Sequence, residues 1–238
     1  MKLTICLVLS ILGISLSNCQ TEAPAKLLEH KVRMAKKGVQ NPPLLILLHG
    51  LGSNENDLFQ LANLLDENFL IVSARAPYVV STDKFKWYDV DFSSGRPVIN
   101  DAQAEESRKR LKGFVDQLKS VYSFDQEKIF IGGFSQGAIM SYSIGLTEPD
   151  YFAGIIALGG RMLDATKSKI AESKLASSNV LIIHGTKDKV LPVQYARQAK
   201  SVLEQQQVNL EYHEIDLGHS INRETLQLLN NWLARFRR

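Results

Sequence analysis

The stretch that most constrains this chain is Ile131-Gly132-Gly133-Phe134-Ser135-Gln136-Gly137. The apolar run Lys128-Ile129-Phe130-Ile131 leads into it, and a helical pattern from Gln136 to Leu146 follows it. Strand, sharp turn and helix are the setting in which Gly-x-Ser-x-Gly holds a serine hydroxyl clear of a sheet. The reason is steric. Gly133 and Gly137 have no Cβ, so strand and helix can approach closely on either side of the serine. The serine also opens a helix, whose first backbone N–H groups lack intrahelical partners and can face a developing negative charge. By itself a serine between glycines is only a turn. Its strand and helix flanks make Ser135 a candidate nucleophile.

Around that stretch, apolar runs alternate with helical patterns. Leu44 to Leu48, Phe69 to Val72, Phe152 to Leu158 and Val180 to Ile183 are continuous apolar runs, as expected of strands covered on both faces. Periodicity predicts helices over Asn54 to Leu65 with Ser53 as N-cap, Asp101 to Tyr122, Pro192 to about Gln206, and Arg223 to Phe236. Val208 to His213 alternates as a strand does, and His30 to Val39 reads as an edge strand or hairpin. Arg75 to Asn100 reads as a long irregular loop rich in aromatics, and Asp164 to Ser178 as a polar connection with room for a short helix. The alternation predicts an α/β fold, a mostly parallel sheet with helices on both faces and no large lid domain. Ligands of such sheets sit beyond the carboxyl ends of the strands. Ser135, Asp188, His219 and the His49–Ser53 loop all follow strand ends, so they are expected on one rim.

A serine hydroxyl needs a base, and the base needs an orienting acid. The order serine, acid, histidine is the one used on this kind of sheet. Of the five histidines, only His219 follows the serine in a glycine-containing loop after the last strand. Asp188 is the candidate acid; Asp216, close to His219 in sequence, and Asp164 are its rivals. The N–H of Gln136 and that of Leu51, in the glycine loop after the first buried strand, are the candidate oxyanion donors. Trp87 and Tyr88 admit two readings, walls of a substrate site or ordinary core.

The bulk numbers fit one packed domain: 238 residues, 45% apolar and 22% charged. The balance of 28 basic and 25 acidic residues gives +3, without the basic stripe expected of a nucleic-acid binder. Residues 1–18 read as a signal peptide, with Lys2 ahead of the apolar Ile5 to Leu16. Leu16-Ser17-Asn18-Cys19 resembles the lipobox of bacterial lipoproteins, which implies export to a bacterial envelope and lipid attachment at Cys19; an ordinary cleaved leader is the alternative. Residues 19–29 read as a tether and 30–238 as the domain. The only cysteines are Cys6 and Cys19, so no disulfide or cysteine metal site is expected within the domain.

These residues together resemble the carboxylesterase/phospholipase family of α/β-hydrolases, the group that includes acyl-protein thioesterases. The matching stretches are Leu48–Ser53, Arg75–Pro77, Trp87–Asp89, Gly133–Gly137, His184–Asp188 and Gly218-His219, in the family's order. Ala138 stands where eukaryotic members often have a second glycine. The resemblance implies the α/β-hydrolase fold, Ser135, Asp188 and His219 as a catalytic triad, Leu51 and Gln136 as oxyanion donors, and no metal or organic cofactor. It implies hydrolysis of a carboxylic ester or thioester. Lysophospholipids, polysaccharide esters of the feruloyl or acetyl type, and a non-catalytic binding role on the same fold are the alternatives.

Overall fold

Leu44–Leu48 is apolar at every position, and all five residues are buried. A strand alternates its faces, so Leu44, Ile46 and Leu48 enter one core cluster while Leu45 and Leu47 enter a second on the opposite side. The same division runs through Phe130 and Ile131, and through Leu181 and Ile182. A sheet with two apolar faces must be covered twice.

The structure, a computed structural model, describes residues 28–170, 175–176 and 178–237; the predicted leader and Cys19 lie outside the described residues. In chain order the elements are β1 (His30–Arg33), β2 (Leu44–Leu48), α1 (Glu55–Phe59), β3 (Leu70–Ala74), β4 (Tyr78–Ser81), β5 (Lys84–Lys86), β6 (Val90–Asp91), β7 (Val98–Ile99), α2 (Asp101–Val121), β8 (Ile129–Phe134), α3 (Gln136–Thr147), β9 (Gly154–Leu158), α4 (Asp164–Lys167), β10 (Asn179–Gly185), α5 (Gln194–Gln205), β11 (Asn209–Ile215) and α6 (Arg223–Leu233). Seven strands form the central sheet in the order β1-β3-β2-β8-β9-β10-β11. Only β1 runs antiparallel, along β3; the neighbours from β3 to β11 are parallel.

Helices α2, α3 and α5 cover the first face through residues such as Leu111, Phe114, Tyr142 and Leu203. Helices α1 and α6 cover the second, through Leu58, Leu229 and Trp232. Every residue of α3 from Gln136 to Leu146 is buried. It lies against the sheet on one side and α2 on another, so it shows no polar stripe.

Three sequence expectations need correction. The helix expected over Asn54 to Leu65 ends at Phe59 and resumes as a 3-10 turn at Ala62–Leu64. Its N-cap is Asn54, whose side chain accepts from the Asn56 N–H at 2.9 Å, while Ser53 Oγ donates to the Asp57 carboxylate. The supposed loop from Arg75 to Asn100 contains two small antiparallel hairpins, β4–β5 and β6–β7. These hairpins pack over the carboxyl rim of the sheet, and that is how the segment reaches the site.

Candidate active site

Ser135 occupies φ +56°, ψ −118°. A non-glycine residue there costs on the order of 1–3 kcal/mol and persists only where its surroundings over-determine it. They do so here. Its N–H donates to Leu158 O at 3.0 Å, tying the turn to β9. A Cβ on Gly137 would lie 1.9 Å from Leu48 O, and one on Gly133 would lie 2.4 Å from it. Only glycine on both sides lets β8 turn into α3 against the end of β2.

His219 lies in the loop after β11, its ring 4.7 Å from that of Phe134. Its Nε2 is 2.9 Å from Ser135 Oγ, and its Nδ1 is 2.7 Å from Asp188 Oδ2. An ionised carboxylate only accepts, so Nδ1 carries the proton and Nε2 offers its lone pair to the serine O–H. Asp188 is buried, and its Oδ1 accepts the N–H groups of Val190 and Leu191, each at 2.8 Å. The carboxylate is thus held by its own loop on one oxygen and holds His219 with the other. His184 Nε2–H donates to Leu191 O at 2.7 Å and closes the same loop from β10. The rival acids are elsewhere engaged: Asp216 with Lys187 at 2.6 Å and Asp164 with Lys167 at 2.8 Å, both exposed.

The loop after β2 is fixed from two sides. The Gly52 N–H donates to Phe85 O, and the Phe85 N–H donates to Ser53 O, each at 2.8 Å, so β5 pins it. From below, the Ala76 N–H donates to His49 Nε2 at 3.0 Å, which leaves Nδ1 as the protonated nitrogen, donating to Gly50 O at 2.8 Å. His49 is fully buried, and burial holds its pKa below the ordinary value. Among the described residues no acceptor takes the N–H of Leu51 or of Gln136. Two backbone donors are therefore left open beside the serine, at the end of a loop and the start of a helix.

A cleft of about 100 Å³ beside Ser135 is lined by Leu51, Gln136, Tyr88, Ile139 and Leu191, together with the exposed Phe92 and Val190. Tyr88 is on the cleft. Trp87 is not: it is fully buried behind it, with its indole N–H donating to His49 O at 2.9 Å. Of the two aromatic residues read as candidate walls, Trp87 is therefore a brace. Both lie in the bend between β5 and β6, where the chain turns one aromatic inward and the other to the cleft. Sequence reasoning also passed over the Gln136 side chain, whose Oε1 accepts from the Trp87 N–H at 2.8 Å and whose amide donates to Tyr88 O at 2.9 Å. It missed Arg161 on the cleft wall and the Arg75–Glu55 fork, with both contacts at 2.6 Å, joining α1 to the end of β3. None of these carries a motif, since each depends on which segments meet. Among the described residues no group of three or more His, Cys, Asp or Glu side chains is arranged to hold a metal ion.

A parallel sheet flanked by helices, with a strained serine at the carboxyl end of a central strand and histidine and aspartate arriving from the next loops, defines an α/β-hydrolase. The chain belongs to the phospholipase/carboxylesterase family, whose model matches residues 29–236, and is an ester hydrolase. It is 28% identical over 226 residues to acyl-protein thioesterase 1 of Kluyveromyces lactis, an alignment covering 86% of this chain and 96% of that protein. It is 27% identical over 206 residues to carboxylesterase SOBER1 of Arabidopsis thaliana, covering 80% of this chain and 89% of that protein. The crystal structure of esterase PE8 superposes with a TM-score of 0.77 at 26% identity, covering 88% of this chain and 99% of that one.

Proposed function

We propose that Ser135, His219 and Asp188 cleave carboxylic esters through an acyl-enzyme. The observation that carries this reading is the unbroken chain from Asp188 to His219 at 2.7 Å and on to Ser135 Oγ at 2.9 Å, ending at a cleft. His219 takes the serine proton as Oγ attacks the ester carbonyl. The N–H groups of Leu51 and Gln136 receive the oxyanion, and a single such donor is worth about 10²–10³ in rate. His219 then protonates the departing alcohol. Water, deprotonated by the same nitrogen, attacks the acyl-serine and releases the acid. Asp188 keeps the imidazole in the tautomer this cycle needs.

A cavity of about 150 Å³ holds a molecule the size of benzene, so the enclosed part of this cleft suits an acyl chain of a few carbons. Longer chains would extend over Phe92 and Val190, which are exposed. Thioesters are a second substrate class for the same steps, favoured by the likeness to acyl-protein thioesterase 1. Export and lipid attachment at Cys19 are part of the same proposal, supported by the sequence of residues 1–19.

The purified protein is expected to hydrolyse 4-nitrophenyl butyrate, and Ser135→Ala to lower kcat on the order of 10⁶-fold. A fluorophosphonate probe should label Ser135 and nothing else. Undiminished turnover in Ser135→Ala would overturn the assignment.

A further inference from the structure

The cleft beside Ser135 is apolar except at one wall. Among the described residues that line it, Arg161 alone is charged. It follows Gly159-Gly160 just beyond β9, so its position is set by the same sheet rim that sets Ser135. Its guanidinium carbon stands 5.4 Å from the Tyr195 ring centre, a contact that offers it no hydrogen-bond acceptor. Its Nε is buried with no hydrogen-bond partner, and among the described residues no carboxylate pairs with it.

Other arginines near the sheet ends are paired. Arg75 is matched by Glu55, Arg108 by Glu105 and Glu148, and Arg197 by Glu214. Asp101 and Asp164 line the adjoining hollow that Arg161 also borders; the Asp164 carboxylate feels the Arg161 charge, but its bonded partner is Lys167 at 2.8 Å. A buried N–H without an acceptor is costly. It is accounted for when the ligand supplies the acceptor. The planar guanidinium fork fits a carboxylate through two parallel hydrogen bonds. A dianionic phosphate would leave one charge uncancelled between apolar walls, because only one cation lines the cleft.

We propose that Arg161 is a specificity-determining residue that binds a carboxylate carried by the substrate a few bonds from the ester carbonyl, so that half-esters of dicarboxylic acids are preferred. The proposal rests on Ser135 as the reacting group, and the test separates the two. Binding is measured first in Ser135→Ala, which does not turn over. 4-Nitrophenyl hemiglutarate is expected to bind at least about 30-fold more tightly than the equally long neutral 4-nitrophenyl valerate, the scale of a desolvated charge pair. Adding Arg161→Met should bring the two affinities together, while Arg161→Lys keeps part of the difference. In the active protein the ratio of kcat/KM for the two esters should fall likewise from at least about 30 toward one with Arg161→Met. The change should appear mainly in KM. Equal binding of the two esters with Arg161 intact overturns the proposal, as does tighter binding of the 4-phosphonobutanoate ester. Preferential binding of the hemiglutarate without hydrolysis of either ester overturns the reaction and leaves the carboxylate site standing.

Discussion

Asp188 shows how much one side chain can organise. One carboxylate oxygen is taken by two backbone N–H groups of its own loop, and the other faces His219. Asn at this position can keep the loop contacts through its carbonyl, but it presents an N–H₂ to His219 Nδ1. The imidazole must then carry its proton on Nε2, facing the serine. Asp188→Asn is therefore expected to lower kcat by about 10⁴-fold. Its thermal midpoint should stay near that of the parent. Equal loss of midpoint and activity would make Asp188 a structural residue only. The three residues of this relay are candidates from the chain because each lies in a turn or loop soon after a predicted strand, in the order serine, acid, histidine. Gln136 could be named only for its backbone. Its side chain bridges Trp87 and Tyr88, and nothing in residue order says that these segments touch.

At the scale of elements, the loop from His49 to Ser53 works because a neutral imidazole ties it to the end of β3. The Ala76 N–H needs a lone pair on His49 Nε2, which a second proton would remove. Burial lowers the folded pKa from its ordinary value of 6.5. The unfolded chain thus takes up this proton first as pH falls. The contribution is complete above pH 6.5 and is lost as pH drops from there through the lowered folded value. Denaturant midpoints at pH 7.5 and 5.5 should fall further in the parent than in His49→Gln, which has no proton to gain. Equal falls would remove His49 from the account. The same element view explains the shortened α1. Its apolar spacing suits a helix through Leu65, yet Leu64 is exposed and the chain tightens into a 3-10 turn. Asp66 then fixes the exit, its side chain accepting from the Asn68 N–H and pairing with Arg237. Periodicity shows where a face is apolar, not where the helix ends.

Across the whole molecule, the described domain of this ester hydrolase is a sheet buried on both sides, and the proposed lipid attachment at Cys19 lies outside the described residues. The leader reading makes its own prediction. Expressed in a bacterial host with a labelled fatty acid, the full chain should acquire label that Cys19→Ser lacks. An unlabelled parent would leave an ordinary cleaved leader. The sequence by itself determined the α/β alternation, the strand that delivers Ser135, and the Ser–Asp–His order, because continuous apolar runs, glycine turns and helical periodicity are local properties of the chain. Only the tertiary structure decided that Trp87 turns inward while Tyr88 meets the cleft, and that the segment from Arg75 to Asn100 folds as hairpins over the rim. It also decided that Arg161 lines the cleft beside Ser135 with no carboxylate bonded to it among the described residues. Those outcomes depend on which surfaces meet, and that is fixed by burial and by hydrogen bonds between residues far apart in the chain.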